Sequence, residues 1–365
     1  MIKKKIAFVI GSLTSGGAER VISNLSNELI SKFDITIITF SYAEPFYKLD
    51  PRITVIPCLN TIKKPTSIFH SLRLNFILTK KIYSIFKQHK IDLAIGFITS
   101  ANIITTIAAK LCNIPCVISE RNNPLVEEVP KLWRILRKIT YPKADTLILQ
   151  TNGIKEIYNK KVNPHKIVIL PNPLSSVMTS KRNNALKKEK LILTVGRLDK
   201  NKCHEDLVEA YKSLGIKDWN ILIIGHGERK NELLNLINKH KLSKEIKIIS
   251  EVKDIYNYYN RASIFVLTSK TEGFPNVLLE AMYFGLPSIS YNCNFGPSDL
   301  IKDGVNGFLS PVNDIEALKE KLLMLMINRD LRTSFSLKAK ESTEQFKTEF
   351  VISEWENLIE TLINK

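Results

Sequence analysis

The sequence lacks the features of several specialised protein classes. Its five cysteines are an odd number with no C-x-x-C pair, which argues against a disulfide framework or a zinc site and favours reduced thiols in a cytosolic protein. No apolar run approaches the ~20 residues that a membrane-spanning helix requires. The N-terminus leads directly into a strand without a signal-peptide cleavage region. We therefore predict a cytoplasmic protein.

Several catalytic motifs are also absent. The chain has no Asp-x-Asp metal motif, no G-x-S-x-G elbow and no Walker loop, and its six histidines form no ligand pattern. The glycine-rich turn after the first strand does not match G-x-G-x-x-G, so dinucleotide binding is weakly supported. These absences favour a site that needs neither a metal ion nor another cofactor.

The positive charge of the chain is concentrated in its first half. Residues 1–175 contain 25 Lys and Arg against 11 Asp and Glu, a net charge of +14, whereas residues 176–365 have a net charge of +3. Two basic helical stretches, 68–89 and 131–140, mix these cations with apolar residues. An anionic membrane surface attracts such a face, and so does nucleic acid. The alternative is that each helix packs its apolar side into a core and leaves its lysines solvated.

The hydrophobic pattern predicts two α/β domains. Short apolar strands alternate with amphipathic helices over residues 1–175 and again over residues 176–349, which is typical of doubly wound parallel sheets. Pro171-Asn172-Pro173 and the polar run Thr179–Lys190 interrupt the pattern and are interpreted as a linker. A cleft is expected between the facing carboxyl ends of the two sets of strands.

The most informative stretch is Thr268–Glu280, which follows an apolar strand and leads into a helix. Pro275 suits a first helical turn, and the amides of Asn276, Val277 and Leu278 are predicted to point out of the helix N-terminus, where phosphate binds. Glu272 and Glu280 would repel a bare phosphate, but carboxylates accept hydrogen bonds from hydroxyl groups. A phosphate flanked by hydroxyls describes a nucleotide sugar.

Other loops at the ends of predicted strands carry further candidate residues. Gly16 and Gly17 precede the first helix and favour a phosphate, although such turns are often only structural. Arg197 and Lys202 could neutralise a diphosphate, or could be two surface cations. Arg121 could contact a substrate, or form a buried structural pair with Glu120.

Taken together, these motifs resemble those of one enzyme family. Gly-Gly-Ala-Glu-Arg at residues 16–20, Gly-Arg-Leu at 196–198 with Lys202, and the Glu-x₇-Glu of Glu272 and Glu280 occur in the order found in retaining glycosyltransferases of GT-B fold, the group often called family four. The resemblance covers nearly the whole chain. It implies two Rossmann-like domains facing across a cleft, and a last helix, residues 350–365, that crosses back onto the first domain.

The resemblance also implies roles for particular residues. Arg197 and Lys202 would bind the donor diphosphate, Glu272 the transferred sugar and Glu280 the ribose, while Val252 resembles the backbone site that reads uracil. The implied catalytic residues are Glu272, Arg197, Lys202 and Arg121, and the implied donor-binding residues are Gly16, Gly17, Val252, Gly273, Phe274, Pro275, Asn276, Val277, Leu278 and Glu280.

Two positions depart from the family pattern. Arg121 stands where many members have histidine, and an arginine favours charge stabilisation over proton transfer. Cys203 replaces the usual glycine after the lysine, which puts the geometry of that loop in question.

Short matches such as Phe46–Leu49 and Trp133–Arg137 resemble bacterial enzymes that add N-acetylgalactosamine to undecaprenyl-diphosphate-linked glycans. They imply a UDP-sugar donor, a lipid-linked acceptor in lipopolysaccharide, capsule or glycoprotein assembly, and peripheral attachment to the inner face of the cytoplasmic membrane, with no metal, cofactor or nucleic acid. The alternatives are a sugar-nucleotide epimerase of GT-B fold and a basic nucleic-acid-binding module.

Overall fold

The computed structural model describes residues 3–63, 66–126, 129–250, 252 and 254–364, apart from the side chain of Ile68. It divides the chain into two compact units. Unit 1 contains Met1–Pro173 and Thr348–Lys365, and unit 2 contains Leu174–Lys347. The predicted boundaries, 175/176 and 349/350, lie two residues from these.

Unit 1 is built on a parallel sheet of seven strands in the order β3-β2-β1-β4-β5-β6-β7. The strands are β1 Lys5–Ile10, β2 Asp34–Ser41, β3 Thr54–Leu59, β4 Leu93–Phe97, β5 Cys116–Ser119, β6 Thr146–Leu149 and β7 Ile167–Ile169. Its helices are α1 Gly17–Leu29, α2 Ile68–His89, α3 Thr99–Cys112, α4 Lys131–Thr140, α5 Asn152–Tyr158 and α14 Thr348–Ile363.

Unit 2 is built on a parallel sheet of six strands in the order β10-β9-β8-β11-β12-β13. The strands are β8 Leu191–Val195, β9 Asn220–Ile224, β10 Ile246–Ile249, β11 Ile264–Leu267, β12 Ser288–Tyr291 and β13 Gly307–Ser310. Its helices are α6 Ser176–Lys181, α7 His204–Leu214, α8 Lys230–Lys239, α9 Ile255–Arg261, α10 Asn276–Tyr283, α11 Pro297–Leu300, α12 Ile315–Ile327 and α13 Arg329–Thr343.

The strands are apolar on both faces, as expected when helices cover both sides of a parallel sheet. Strands β4, β5, β6 and β11 are buried at every position. This arrangement confirms the predicted α/β fold with doubly wound sheets. In each unit the strand order reverses beside the first strand, at β1/β4 and at β8/β11, and ligands of such sheets bind beyond the carboxyl ends of the strands at that point.

Helix α14 completes the core of unit 1 even though it follows unit 2 in the chain. Trp355 is fully buried among strand residues of unit 1, and its ring stacks on that of Phe97 with centroids 6.3 Å apart. Val351 and Ile359, one turn on either side, lie in the same apolar cluster. The last helix therefore belongs physically to the first part of the chain.

Three short elements of unit 2 were not predicted. Strand β13 is a four-residue edge strand, too short to show a period of its own. Helix α6, Ser176–Lys181, overlaps the start of the polar run that was interpreted as part of a linker. Its N-cap Ser175 accepts a hydrogen bond from the amide of Met178, whose side chain is buried. Helix α11 has only four residues.

Candidate functional site

The loops that follow β8 and β11 are joined into one structure at the carboxyl edge of the unit 2 sheet. The Asn201 side chain donates to the Thr271 carbonyl and accepts from the Thr271 amide, each at 3.0 Å. The Thr268 hydroxyl donates to the Lys202 carbonyl at 2.7 Å. These bonds fix the two loops that contain most of the predicted catalytic residues against each other.

Lys202 and Glu272 meet within this structure. The Lys202 ammonium donates to Glu272 Oε1 at 2.6 Å, and the two side chains are only 14% and 12% exposed. Both residues are site residues predicted from the sequence, but the sequence predicts a different ligand for each. In the structure the charges of the two side chains neutralise each other.

Arg197 belongs to the same loop as Lys202 and remains in solvent. Its side chain is 73% exposed and lies 3.2 Å from Asp199, measured from Nη2 to Oδ2. Asp199 also accepts the amides of Asn201 and Lys202, so it shapes the loop from within. An exposed ion pair of this kind is weak, which leaves the guanidinium available to an incoming anion.

His204 anchors the same loop. It is buried, with Nε2 3.3 Å from the Arg197 carbonyl and Nδ1 3.4 Å from the Thr194 hydroxyl. Burial, with the neighbouring Lys202 charge, lowers the pKa of His204 to about 4. The ring is therefore neutral at physiological pH and has a structural role.

Cys203, the departure from the family glycine, keeps the backbone geometry of a glycine. Its φ is 45° and its ψ 44°, in the left-handed region, where a side chain costs about 1–2 kcal/mol. The buried thiol donates to the Lys200 carbonyl at 3.2 Å, and burial raises the pKa of Cys203 to about 11. The loop keeps its left-handed turn with a neutral thiol inside it.

A close approach of backbone segments explains the glycine at position 225, which follows β9. A Cβ atom on Gly225 would collide with the Gly196 carbonyl. Only glycine lets the turns after β8 and β9 lie this close together. The Gly225–Gly227 segment thus supports the loop of Arg197.

The turn at the start of α10 differs from the prediction. Pro275 is the N-cap residue, and the helix begins at Asn276. The Asn276 amide donates to the Phe274 carbonyl at 3.0 Å, and the Leu278 amide donates to the Pro275 carbonyl at 3.0 Å. Two of the three amides predicted to point outward thus already have carbonyl acceptors.

Other predicted donor-binding residues are more buried than expected. Phe274 is part of the core of unit 2, with its ring centroid 6.0 Å from that of Phe346. Glu280 is buried and accepts a hydrogen bond from the Tyr259 hydroxyl at 3.0 Å. Val252 packs against the same core cluster, and its neighbours Glu251 and Lys253 lie outside the described residues. Gly273 lies beside Gly296, whose added Cβ would be 3.3 Å from the Gly273 carbonyl oxygen.

In unit 1, helix α1 begins at Gly17 with Gly16 as its N-cap. The Glu19 carboxylate folds back over Gly16, where it would collide with any added Cβ. Burial raises the pKa of Glu19, and a hydrogen bond from its own amide opposes the rise. A carboxylate therefore already lies at the helix N-terminus where the glycines predicted a phosphate.

Arg121 follows β5 and is buried in unit 1. Its guanidinium lies over the Phe97 ring, 4.8 Å from the centroid, and Nη1 donates to Asn172 Oδ1. Among the described residues, Nε and Nη2 have no hydrogen-bond partner. Burial lowers the pKa of Arg121, and the charge of Glu120 opposes this. Two donors of a buried cation are thus available to an anion.

The Glu120 carboxylate is surrounded by hydroxyl groups. It accepts from Tyr141 at 2.6 Å, Thr99 at 3.2 Å and Tyr158 at 3.4 Å, and from the Arg121 amide at 3.3 Å. Next to it, Ile98 has a φ of 73°, which is strained for a β-branched residue. Glu120 thus fixes the backbone from which Arg121 projects.

The described residues contain no group of three or more His, Cys, Asp and Glu side chains that could hold a metal ion. Within the same described residues, no helix is both long and apolar enough to cross a membrane.

Comparison with known protein families identifies both units of the chain. The family model described as Glycosyltransferase Family 4 matches residues 15–175, and the model described as Glycosyl transferases group 1 matches residues 178–342. The chain belongs to the family-four glycosyltransferases. Its two parallel-sheet units are those of the GT-B fold, so the predicted family and fold are both confirmed.

Two relatives of this glycosyltransferase come from Campylobacter jejuni. The "GalNAc-alpha-(1->4)-GalNAc-alpha-(1->3)-diNAcBac-PP-undecaprenol alpha-1,4-N-acetyl-D-galactosaminyltransferase" is 32% identical over 99% of both chains. The "N-acetylgalactosamine-N,N'-diacetylbacillosaminyl-diphospho-undecaprenol 4-alpha-N-acetylgalactosaminyltransferase" is 29% identical over 94% of this chain and 96% of its own length. Among solved structures, Anabaena Alr3699/HepE in complex with UDP superimposes with a TM-score of 0.83 at 18% identity, covering 98% of this chain and all of the other.

Proposed function

We propose that this glycosyltransferase transfers a hexose or N-acetylhexosamine from a UDP-sugar to an undecaprenyl-diphosphate-linked glycan, with retention of anomeric configuration and without a metal ion. The observation that carries the proposal is the Lys202–Glu272 pair at the carboxyl edge of the unit 2 sheet, with the solvent-exposed Arg197 in the same loop as Lys202. Two cations suit a diphosphate, and a carboxylate suits sugar hydroxyls.

Donor binding rearranges this pair. The β-phosphate of UDP would take the Lys202 ammonium from Glu272, and Glu272 would then accept hydrogen bonds from the hydroxyls of the transferred sugar. After the exchange the Lys202 ammonium has a phosphate partner and the Glu272 carboxylate has hydroxyl donors. These new hydrogen bonds offset the desolvation cost of separating the pair. The α10 turn, Val252 and the buried Glu280 are proposed to hold the rest of the nucleotide.

In the proposed reaction the bond between the sugar C1 and the UDP oxygen breaks while an acceptor hydroxyl attacks from the same face. The hydroxyl proton passes to the departing phosphate oxygen. The protein contributes positioning and electrostatic stabilisation of the developing diphosphate charge, which we assign to Lys202 and Arg197. Arg121 is proposed as a further catalytic residue that acts by charge stabilisation.

The proposed acceptor follows from the C. jejuni relatives, whose names both specify an undecaprenol-linked diphosphate glycan. The donor follows from the fold neighbour that binds UDP. We assign acceptor binding to unit 1 and nucleotide-sugar binding to unit 2.

Peripheral attachment to the inner face of the cytoplasmic membrane is part of the proposal. In the first half of α2, Phe69 and Phe76 are 84% and 70% exposed, and Leu72 lies between them. Arg73 and Lys80 are exposed on the same helix. Apolar side chains flanked by cations suit an anionic bilayer, which accepts both.

The test is a donor screen. Purified protein is incubated with UDP-GalNAc, UDP-GlcNAc, UDP-Gal, UDP-Glc or GDP-mannose and a detergent-solubilised lipid-diphosphate sugar. We expect transfer from one UDP-sugar, unchanged by EDTA, and a product whose anomeric configuration by NMR matches the donor. Consumption of a UDP-sugar without acceptor, giving an epimer, would contradict the proposal. So would transfer only from GDP-mannose.

A further inference from the structure

Unit 1 contains a cavity whose lining includes none of the residues of the proposed transfer site. It lies between α4 and the chain that follows α5, and its volume is about 400 Å³, within the range of small-molecule pockets. The residues that line it are Lys131, Arg134, Ile135, Arg137, Lys138, Tyr141, Tyr158, Lys161 and Val162. We refer to it as the α4 pocket.

The rim of the α4 pocket is cationic. Five of its nine lining residues are Lys or Arg, and among the described residues that line it none is acidic. Residues Lys131, Arg134 and Lys138 share one face of α4 because three- and four-residue spacings align on a helix. Burial lowers the pKa of Lys161, and the charges of Arg137 and Lys138 lower it further. A multiply charged anion would relieve this mutual repulsion.

The floor of the pocket is apolar and rigid. Tyr141, Tyr158 and Val162 are buried, and the two tyrosine rings are nearly parallel with centroids 6.1 Å apart. Their hydroxyls point away to Glu120. Ile135, which lines the pocket, is exposed, and so is Ile139, one turn further along α4. A purely ionic ligand would gain nothing from these apolar surfaces.

We propose that the α4 pocket binds the diphosphate and the first isoprenoid units of the lipid-linked acceptor. This inference rests on the proposed function, which supplies the acceptor class. The cationic rim would take the diphosphate oxygens, and the floor with Ile135 would take the prenyl chain.

The pocket is connected to the candidate catalytic residue of unit 1. Its two floor tyrosines donate to Glu120, and Glu120 accepts the amide of Arg121. A prenyl diphosphate held here would therefore lie against the same hydrogen-bonded cluster that positions Arg121. Tyr141, Tyr158 and Glu120 would then connect the bound prenyl diphosphate to Arg121 through hydrogen bonds.

The test measures binding of farnesyl diphosphate, a soluble prenyl diphosphate, to the full-length protein by calorimetry. Wild type is compared with the double variant Arg134→Gln/Lys138→Gln, in which two exposed rim cations are neutralised. The matched control Lys244→Gln/Lys247→Gln removes two exposed lysines of unit 2. Inorganic diphosphate, farnesol and phosphatidylglycerol vesicles are tested in parallel, and UDP binding is measured for every protein.

We expect the rim variant to bind farnesyl diphosphate at least about tenfold more weakly, because each lost charge removes a charge-assisted hydrogen bond. The control should bind like wild type, and inorganic diphosphate should bind more weakly than farnesyl diphosphate. Equal binding by the rim variant and wild type would overturn the proposal. The proposal would also be overturned if the rim variant lost binding only to phosphatidylglycerol vesicles, because the cations would then bind a general membrane surface. The donor screen and UDP binding test the proposed function, and farnesyl diphosphate binding tests the α4 pocket. A protein that binds UDP and transfers sugar but does not bind farnesyl diphosphate would therefore contradict only the pocket proposal.

Discussion

The two units hold their candidate catalytic charges in opposite ways. In unit 2, Lys202 and Glu272 neutralise each other across two loops that Asn201 fastens together. In unit 1, Arg121 is buried with two donors that lack a partner among the described residues. The difference supports the proposal that unit 2 exchanges one partner for another when it binds a donor, whereas in unit 1 the proposed catalytic charge would already be in place.

The largest effect is expected when the exchange in unit 2 is abolished. Glu272→Ala should lower kcat by ~10²–10³, the loss typical of removing one preorganised electrostatic group at the reacting centre. Circular dichroism should be unchanged, because Asn201 and Thr268 still join the loops. The measurement is initial transfer rate with the donor identified in the screen. Near-normal turnover would show that the pair is only structural.

Arg121→Met tests the charge that is already in place. We expect kcat to fall by about 10² while the thermal midpoint stays the same or rises, because an apolar side chain of similar length removes a desolvated cation. Rates and melting curves are compared with those of Arg121→Lys, which keeps the charge but loses the planar fork. Full activity of the Arg121→Met variant would show that Arg121 does not take part in the reaction.

His204 should make the unit 2 loop sensitive to acid. Its pKa is lowered from 6.5 to about 4 in the folded protein, so the unfolded chain binds the proton first as pH falls below 6.5. Stability is therefore retained above pH 6.5 and lost progressively down to about pH 4, by about 2 kcal/mol at pH 5. Urea unfolding at pH 7.5 and pH 5 should show a loss larger by that amount in wild type than in His204→Gln. Equal losses in both proteins would contradict the assignment.

The smallest effect concerns the departure at Cys203. Cys203→Gly should change the free energy of unfolding by less than about 1 kcal/mol, since relief of the left-handed backbone offsets the lost burial of the thiol. Cys203→Val should be clearly less stable, because a β-branched residue is the least compatible with this conformation. Denaturant melts of the three proteins check this order, and a strongly destabilised glycine variant would show that the thiol supports the loop.

Much of the fold followed from hydrophobic periodicity. The bounds predicted for α2 and α4, 68–89 and 131–140, agree with the structure because each is a strongly patterned segment with clear ends. Strand β13 was missed because a four-residue edge strand carries too little pattern. The sequence also selected Lys202 and Glu272 together, but their mutual pairing depends on Asn201, whose partner Thr271 is 70 positions away. Likewise, the Glu19 carboxylate over Gly16 is a side-chain conformation, which no spacing rule specifies.

The return of α14 to unit 1 has a consequence for biosynthesis. The core of unit 1 lacks Trp355 and Ile359 until the ribosome has completed unit 2. At ~5–20 residues per second, this leaves the nascent first unit without its last helix for about 10–40 s. During that interval the apolar surface that α14 later covers, including the Phe97 ring, is exposed. A chaperone that binds this surface would therefore act while unit 2 is still being synthesised. A stalled or truncated chain ending near Lys347 should accordingly be a preferred substrate for proteolysis.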